Sequence, residues 1–582
     1  MLTSQMTFID IYLPCPYINE MKQLIIGQIP GNFNPEKHIA LGPFSFLGKE
    51  HIYPDFDRLN YTNIINSPVE LLELDEKLSF EALRLVGLVA KKYNFDAYNQ
   101  YSFNFWQTIY YPWLGLFVPF IYRQQLLLQS FINKYSNNEL IVELKEIDFE
   151  HHFNDDFDFI NGVRNGFLTE WIISKMLNAH CPEKWTIIYN GDIVNKTAIK
   201  QNNKKESIIE NFKRKLLSFL RFKGVYGFNI KDLFIFNILT IIKPKVNIGV
   251  RHKINIPEKP LIDWAVDILF LIDKALPRQY KQIPVHKRFI TRGKLYNFSN
   301  ELFYNFKSKL NAAYAGENFN LIIASQHGGH SYGSALSSDF GKYIEFKSDY
   351  FITWGWTDYK GYNKKIYLPL PSPLLSKNLN KHSEKKSKII LVGTEMLITQ
   401  FRFDSSPTES QWLEYRLNKT ILIKTLFEYG LKENLYYRPY FQKNGALMDK
   451  FYFKEKFSEL NILEGKLHKE IRECRLLVLD HPGTTWNMAM AINTPSILYW
   501  KRAHFPFNDE ANRFLDMFQD LGLYYECPLE AAARIREINA MPDVKDWWNQ
   551  KEIQDLRFEW MNKYARADKN WLRQWIKVLY KL

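Results

Sequence analysis

The feature that most constrains the fold is an alternation of strand and helix patterns in the C-terminal half of the chain. Continuous apolar runs predict buried strands at 389–394, 435–440, 476–480 and 496–500. Helical patterns lie between them at 412–429, 465–472 and 486–492. Strands that alternate with helices form parallel sheets with helices on both faces. This half therefore predicts a doubly wound, Rossmann-like α/β domain.

The N-terminal half has a less regular pattern. Short strands are predicted at 7–13, 24–29, 39–47, 320–325 and 350–356, and helices at 68–94, 113–135, 263–276 and 297–313. A chain of 582 residues exceeds a single core, so we expect two or three domains. Residues 361–387 change from Pro-rich to rich in Lys, Asn and Ser, which predicts a linker. Two α/β domains flanking a linker indicate a cleft enzyme.

Composition and charge restrict the class of protein. Apolar residues at 46% and charged residues at 24% are ordinary for a soluble protein. The net charge of +13 is concentrated at 200–223, where apolar residues recur at helical spacing. Such a basic amphipathic helix could lie on an anionic membrane or pack on the protein itself, and both alternatives stay open. No nucleic-acid-binding motif accompanies the charge, so no nucleic-acid partner is expected.

Cysteine usage and hydropathy predict the compartment. The four cysteines are far apart and form no CxxC pair, which argues against a disulfide scaffold or a zinc site. The N-terminus lacks a signal-peptide pattern, and the longest apolar stretch, at 110–122, is too short to span a bilayer. We expect a cytoplasmic protein, with peripheral contact to the inner face of the membrane as an open question.

A glycine-rich loop follows the predicted strand at 320–325. Its candidate residues are Gln326, His327, Gly328, Gly329, His330, Ser331 and Tyr332. In open α/β sheets, ligands bind at the carboxyl ends of strands, where this loop is predicted to lie. Residues 329–333 also match G-x-S-x-G, which would make Ser331 a hydrolase nucleophile with His481 or His504 as its base. The strand ends four residues too early for that motif, and 335–342 is a poor helix, so His327 is the favoured functional residue.

A second candidate site lies at 480–485, between a buried strand and a helix. The hydroxyls of Thr484 and Thr485 and the free N–H groups of the helix start predict an anion site suited to a nucleotide phosphate. The alternative is that one threonine merely caps the helix. Arg438 ends the preceding strand and could neutralise a phosphate, and Arg402 is a weaker candidate.

No metal site is expected. The D-x-D tracts at 55–57 and 155–158 are predicted to be solvated loops, because no apolar strand ends at either. His151 and His152 have no spaced third ligand.

Four segments resemble a family of surface-carbohydrate (O-antigen) transferases, distantly similar to CMP-Kdo, sialic-type and CDP-glycerol-type transferases of the GT-B fold. They are 105–114 with Tyr122-Arg123; 326–329 with Tyr332-Gly333 and 353–356; Asp480, Pro482, Thr484-Thr485 and 493–495; and Trp547-Trp548-Asn549, Gln554, Arg557, Trp571 and Trp575. The likeness extends from about residue 40 to the C-terminus. The chain departs from it at Asn487, where the family tends to be acidic, and at an inserted residue in 329–332.

The resemblance implies a GT-B-like α/β fold with two Rossmann-like domains facing a cleft. Residues 1–360 would form the acceptor-side domain with helical insertions, 388–540 the donor-binding domain, and 541–582 tryptophan-rich helices packing back on the first. His327 would be the catalytic base. The donor site would comprise Arg438, Asp480, Thr484, Thr485, Asn487 and Arg402, and the substrate loop Gln326, Gly328, Gly329, His330, Ser331 and Tyr332.

The expected activity is therefore metal-independent glycosyl transfer with a nucleotide sugar as co-substrate and no bound cofactor. The donor expected from the resemblance is a CMP-activated nonulosonic or Kdo-like acid, and the acceptor a surface glycan or its lipid-linked precursor. Histidine suits the base because its pKa lies near neutral pH. Two alternatives remain: a serine hydrolase using Ser331, and a membrane-associated carbohydrate-binding scaffold.

Overall fold

The structure of the protein is a computed structural model. It describes residues 21–46, 49, 68–144, 153–189, 225–242, 256–283, 294–330, 332–359, 366–395, 403, 407, 409–440 and 448–582. The predicted strand at 7–13, the basic helix at 200–223, Ser331 and Arg402 lie outside these residues.

The strands are short and mostly buried. They are β1 (Lys22–Ile25), β2 (His38–Ala40), β3 (Leu140–Leu144), β4 (Trp185–Tyr189), β5 (Leu295–Phe298), β6 (Leu321–Ser325), β7 (Tyr350–Thr353), β8 (Tyr367–Pro369), β9 (Ile389–Val392), β10 (Leu435–Arg438), β11 (Asn461–Ile462), β12 (Leu476–Leu479), β13 (Ser496–Tyr499) and β14 (Tyr524–Tyr525).

Helices connect these strands and extend beyond the last one. They are α1 (Pro68–Tyr93), α2 (Phe95–Tyr98), α3 (Phe103–Tyr135), α4 (Asp156–Arg164), α5 (Phe167–Ala179), α6 (Ile230–Ile242), α7 (Ile268–Ala275), α8 (Arg278–Lys281), α9 (Glu301–Tyr304), α10 (Phe306–Glu317), α11 (Asp339–Lys342), α12 (Pro373–Ser376), α13 (Glu409–Glu428), α14 (Asp449–Lys456), α15 (Leu467–Glu473), α16 (Thr484–Ile492), α17 (Asp509–Asp520), α18 (Pro528–Ala540), α19 (Val544–Trp548), α20 (Lys551–Tyr564) and α21 (Trp571–Lys581). Short 3-10 turns occur at Pro43–Phe46 and Arg502–His504.

In the described part of the chain the strands form three parallel sheets. Two are four-stranded, with orders β2-β1-β3-β4 and β5-β6-β7-β8, and the third is six-stranded, with order β11-β10-β9-β12-β13-β14. The six-stranded order corresponds to the 3-2-1-4-5-6 order of dinucleotide-binding sheets, in which ligands bind where the strand order reverses. Here that point lies between β9 and β12. The predicted α/β fold with parallel sheets and C-terminal helices is confirmed.

Two predictions in the N-terminal half need correction. Residues 297 and 298 belong to β5, which pairs with β6, and do not begin a helix. The helical pattern after them divides into α9 and α10. Helix α3 begins ten residues before the predicted start at 113, because the Ser102 side chain accepts a hydrogen bond from the N–H of Phe105 and caps it.

The predicted linker is packed against both halves of the protein. Its residues Tyr367–Pro369 form β8, an edge strand, which is the position in a sheet that tolerates proline. Further along, the N–H of Asn380 donates to the carbonyl of Ala491, and the N–H of Ser383 donates to the carbonyl of Arg472. The segment therefore connects the sheet that contains β8 to the helices near residues 472 and 491. The predicted domain boundaries themselves stay a prediction.

The C-terminal helices contact the sheet that carries the glycine-rich loop. Between α20 and α21, the N–H of Arg566 donates to the carbonyl of Trp354 at 2.8 Å, and its guanidinium donates to the carbonyl of Pro369 at 2.9 Å. The indole of Trp575 donates to the carbonyl of Pro371 at 2.8 Å. No helix among the described residues combines the length and apolar character needed to cross a membrane.

Candidate functional site

The glycine-rich loop begins where β6 ends, and Gln326 fixes its shape. The side-chain oxygen of Gln326 accepts hydrogen bonds from the N–H of Trp354 and the indole of Trp356, both at 2.9 Å. Its amide nitrogen donates to the carbonyl of Gly328 at 2.8 Å. Gln326 is buried, so it braces the loops after β6 and β7 against each other. The expectation that Gln326 belongs to a substrate-contacting surface is not supported by this burial.

His327 projects from this loop beside a buried carboxylate. Its Nδ1 lies 2.8 Å from the hydroxyl of Tyr332 and 3.2 Å from Oε1 of Glu345. The same hydroxyl donates to Oε2 of Glu345 at 2.8 Å. The His327 side chain is 26% exposed, whereas Glu345 is fully buried. A partly exposed imidazole held by a buried glutamate and a tyrosine can accept a proton from a substrate, because the carboxylate compensates the resulting charge.

The sequence did not indicate Glu345. It lies in a turn after α11, 18 positions from His327, in a stretch without a strong helix or strand pattern. Only the fold places it under the loop. The short spacing of Tyr332 from His327 was visible in the sequence, and Tyr332 lies in the loop as predicted, but it faces inward and is buried. Its hydroxyl contacts the His327–Glu345 pair, and its ring stacks on Phe351 at 5.8 Å.

The loop touches the N-terminus of α16 directly. A Cβ placed on Gly329 would lie 2.9 Å from both the carbonyl carbon of Gly483 and the backbone nitrogen of Thr484. A Cβ on Gly328 would lie 3.8 Å from the Thr484 hydroxyl oxygen. Glycine is therefore required at 329 for this approach of two backbones. The contact brings the His327 loop and the predicted phosphate site to one place.

Thr484 and Thr485 open α16 at the point where the strand order reverses. Gly483 is the N-cap residue and offers no capping side chain, so neither threonine has the alternative role of N-cap. Both threonines are partly exposed. The first backbone N–H groups of a helix point outward and attract anions. This end of α16 thus carries N–H groups and two partly exposed threonines, and the Thr484 hydroxyl lies near the glycine-rich loop.

Asp480 lies beneath this edge and is buried. Its Oδ1 accepts hydrogen bonds from the N–H of Thr394 at 3.0 Å and from Nδ1 of His481 at 2.8 Å. Its Oδ2 lies 3.4 Å from Nζ of Lys419. Burial raises the pKa of Asp480, but the charge of Lys419 and the bond from His481 outweigh it, so the pKa is lowered. Asp480 holds the loops after β9 and β12 together. Because it is buried, its side chain is not exposed to a bound nucleotide-sugar donor.

A second carboxyl at this edge has unusual protonation chemistry. Glu395 follows β9 and is buried, and its Oε2 has no hydrogen-bond partner among the described residues. Burial raises the pKa of Glu395 to about 8, and the charge of Asp449 adds to this, while Lys419 and Arg416 oppose it. Asp449 forms ion pairs with Lys419 at 2.5 Å and Arg416 at 3.0 Å. No sequence pattern indicates this buried cluster, because its members are dispersed between positions 395 and 480.

Two other predicted donor residues are engaged by the protein. The guanidinium of Arg438 donates to the carbonyl of Leu463 at 2.9 Å, at the end of β10 and two strands from Asp480. Asn487 is buried; its amide nitrogen donates to the carbonyl of Tyr564, and its oxygen accepts from the indole of Trp560. Asn487 therefore anchors α20 on α16, which explains why an amide suits this position.

His330 faces the C-terminal half. Its ring lies 4.4 Å from the ring of Phe507, and residues 334–336 of the same loop bond to the backbone at 506 and 508. The two halves meet here along a narrow crevice. Its lining residues are Gly329, His330, Tyr332, Ser334, Pro482, Trp486, Asn487, Trp560 and Tyr564.

The D-x-D tract at 155–158 is not a solvated loop, contrary to the prediction. The Asp155 side chain caps α4, and Asp156 is buried against Nζ of Lys309 at 2.9 Å and the hydroxyl of Tyr280 at 2.6 Å. These aspartates fix the start of a helix. Across the described ranges, no group of three or more His, Cys, Asp or Glu side chains is placed to hold a metal ion.

The fold and the crevice define an α/β enzyme with a histidine-bearing loop opposite a helix N-terminus. The sequence profile of the LIC12162 family transferase matches residues 22–579, and the chain belongs to this family. The predicted enzyme class, a transferase, is thereby confirmed. No curated protein matches the chain significantly.

Comparison with solved structures gives remote similarities. S. aureus MnaA with UDP is 9% identical, with a TM-score of 0.31, over 75% of this chain and 96% of that one. The wall teichoic acid polymerase TagF is 10% identical, with a TM-score of 0.27, over 46% of this chain and 68% of that one. Acinetobacter baumannii MurG is 11% identical, with a TM-score of 0.26, over 47% and 70%. Similarities at this level carry no argument about the site.

Proposed function

We propose that this transferase moves a glycosyl group from a nucleotide-activated donor to a hydroxyl of a glycan or lipid-linked glycan acceptor. One observation carries the proposal: the backbone contact of Gly329 with Gly483 and Thr484, which joins the His327 loop to the N-terminus of α16. Glycosyl transfer needs a base for the acceptor and an anion site for the leaving nucleotide. The contact supports the proposal because it places the loop that carries His327 against a helix N-terminus.

In the proposed reaction His327 takes the proton of the acceptor hydroxyl as its oxygen bonds to the anomeric carbon. The bond from that carbon to the phosphate oxygen breaks, and the nucleotide leaves with the electron pair. The proton stays on the imidazole, whose charge is compensated by Glu345. The N–H groups of α16 and the hydroxyls of Thr484 and Thr485 stabilise the negative charge on the leaving phosphate.

The position of the site in the sheet supports a nucleotide donor. The α16 N-terminus lies beside the switch point of a sheet with the strand order of dinucleotide-binding proteins. A CMP-activated nonulosonic or Kdo-like acid is the proposed donor, and it rests on the family resemblance of the sequence. Arg438, at the same edge, would contribute to the phosphate site if its bond to Leu463 exchanged for the donor. Arg402 and Ser331 remain candidates from the sequence alone.

A nucleotide panel tests the proposal. The thermal unfolding midpoint is measured with CMP, CDP, UMP, UDP, AMP and GMP; a ligand at a hundred times its Kd stabilises by about 2.7 kcal/mol. We expect CMP to give the largest rise. Thr484→Val should weaken that binding about three- to tenfold, the loss of one hydrogen bond. Thr186→Val, at an exposed threonine of β4, is the matched control and should bind as the wild type does.

Failure of all six nucleotides to raise the midpoint would remove the donor site from α16. Two rival functions have their own readouts. A fluorophosphonate probe that labels Ser331 would favour the serine hydrolase. Glycan binding without nucleotide binding or turnover would favour the carbohydrate-binding scaffold.

A further inference from the structure

Helix α6 presents its most apolar residues to solvent. The exposed fractions of these residues are 81% for Ile230, 68% for Phe234, 65% for Ile241 and 69% for Ile242, and Ile238 is also exposed. Their spacing of four, four, three and one residues places them along one face of a helix. Contiguous apolar surface on a soluble protein marks an interaction site more often than a scattered residue does.

The opposite face of α6 is fixed to the protein by polar and apolar contacts. Asp232 and Thr240 are buried there, and Asp232 forms an ion pair with Nζ of Lys377 at 2.6 Å. Phe236 packs against Trp575 of α21 at 5.9 Å. An ordinary surface helix buries its apolar residues and exposes its polar ones, whereas α6 has apolar residues on both its inward and its outward face. The contacts of the inward face fix the orientation of α6, so its isoleucines face outward in a defined position.

Exposed cations occur on α6 and on α21, the helix whose Trp575 packs against Phe236 of α6. Lys231 is exposed on α6, and Arg573, Lys577 and Lys581 are exposed on the neighbouring α21. The only acidic side chain of α6 is the buried Asp232, and α21 has none. Apolar side chains beside exposed cations are the combination that binds an anionic lipid surface.

We propose that α6 is a docking surface for an anionic membrane and lies in the plane of the bilayer interface with Ile230, Phe234, Ile238, Ile241 and Ile242 inserted. The helix has 13 residues and is about 20 Å long, which suits an interfacial helix and not a membrane span. The surface consists of described residues only; the basic segment at 200–223 is not part of it.

A second copy of the chain fits this face less well. A stable protein interface buries about 800 Å² on each partner, whereas five side chains of one short helix offer roughly a few hundred. Two copies would also bring the exposed cations of α6 and α21 together. An anionic membrane instead attracts these cations and accepts the apolar side chains without a shape-matched partner.

Vesicle flotation of the full chain tests the proposal. Vesicles of phosphatidylcholine with 30% phosphatidylglycerol are compared with vesicles of phosphatidylcholine alone, at low salt and at 0.5 M NaCl; these compositions are roughly those at which surface charge acts. We expect binding to the anionic vesicles, weakened by salt. The variant Ile230→Ser/Phe234→Ser/Ile241→Ser should bind about tenfold less tightly or worse, since it removes the inserted apolar groups.

The matched control is Phe95→Ser/Leu529→Ser/Phe558→Ser, three apolar residues of similar exposure on other helices. It should bind vesicles as the wild type does, and both variants should keep the thermal midpoint because the altered side chains are exposed. Absence of wild-type binding to anionic vesicles, equal binding to both vesicle types, or an equal loss in the control would overturn the proposal. So would light scattering that shows a dimer abolished by the α6 variant alone. The readout is lipid binding, so its failure is distinct from a failure of the proposed glycosyl transfer.

Discussion

The two edges of the crevice use charged and polar groups in different ways. On the N-terminal edge a partly exposed His327 rests on the buried Glu345. On the C-terminal edge the carboxylates of Asp480 and Asp449 are buried beneath the surface with Lys419, and the exposed groups are the hydroxyls and N–H donors of α16. In the proposed reaction the first edge exchanges a proton, and the second holds an anion through N–H and hydroxyl donors and not through a charged side chain.

The difference shows how a buried charge acts at a functional site. At the first edge, the buried carboxylate of Glu345 contacts His327, the proposed base, so it would act on the protonation of that base. At the second, the buried carboxylates of Asp480 and Asp449 both pair with Lys419, and Asp480 accepts a hydrogen bond from the N–H of Thr394, so they hold the loops in place. The comparison predicts that variants at the two edges separate turnover from binding.

His327→Ala breaks the comparison most strongly. Loss of a positioned base costs about 10²- to 10⁴-fold in turnover, and we expect this loss in glycosyl transfer measured by release of the nucleotide. Nucleotide affinity should change less than about twofold, because His327 does not belong to the anion site. His468→Ala, an exposed histidine of α15, is the control. Equal losses of turnover and binding would show that the two edges are not separable.

Gly329→Ala tests the contact between the edges. The added methyl would meet the backbone of Gly483 and Thr484 at 2.9 Å, which forces the loop and α16 apart. We expect turnover to fall about 10- to 100-fold, since a misplacement of about 1 Å can cost that much. Nucleotide affinity should also fall, unlike in His327→Ala. Gly31→Ala, where nothing lies within 4 Å of the new methyl, should be silent in both assays.

Glu395→Gln tests the protonation state of the buried Glu395 at the C-terminal edge. Its expected effect, a change in thermal stability, is the smallest of the three. The pKa of Glu395 is about 8 in the folded protein against 4.5 for an ordinary glutamate, so the folded state binds more protons between these values. The contribution of protonated Glu395 to the free energy of unfolding is therefore lost as the pH rises from 4.5 to 8. The amide cannot ionise, so the variant should unfold at a temperature roughly 2–6 °C higher than the wild type at pH 9, with little difference at pH 5.

The exposed Glu428→Gln is the control for that measurement, because its ion pair with Lys424 is on the surface. A wild-type midpoint that does not fall relative to Glu395→Gln between pH 5 and pH 9 would contradict the buried, protonated state of Glu395.

Much of the fold was predictable because its signals are local. The strands β9, β10, β12 and β13 were recognised from continuous apolar runs, and the helices between them from their spacing. The prediction was wrong where a local pattern had two solutions, as at Asn297 and Phe298, which pair with β6 instead of starting a helix. It was also wrong for Asp156, since a D-x-D tract carries no information about the lysine 153 positions away that neutralises it.

The sequence by itself determined which residues end the strands, and therefore that His327 and Thr484 each follow the carboxyl end of one. Hydrophobic runs and glycine-rich turns act over a few residues, so they can be read from neighbours along the chain. Only the tertiary structure decided that Glu345 supports His327, that Gln326 and Asn487 act as braces, and that Gly329 touches α16. Those contacts join positions far apart in the chain, and packing between whole elements, not local preference, brings them together.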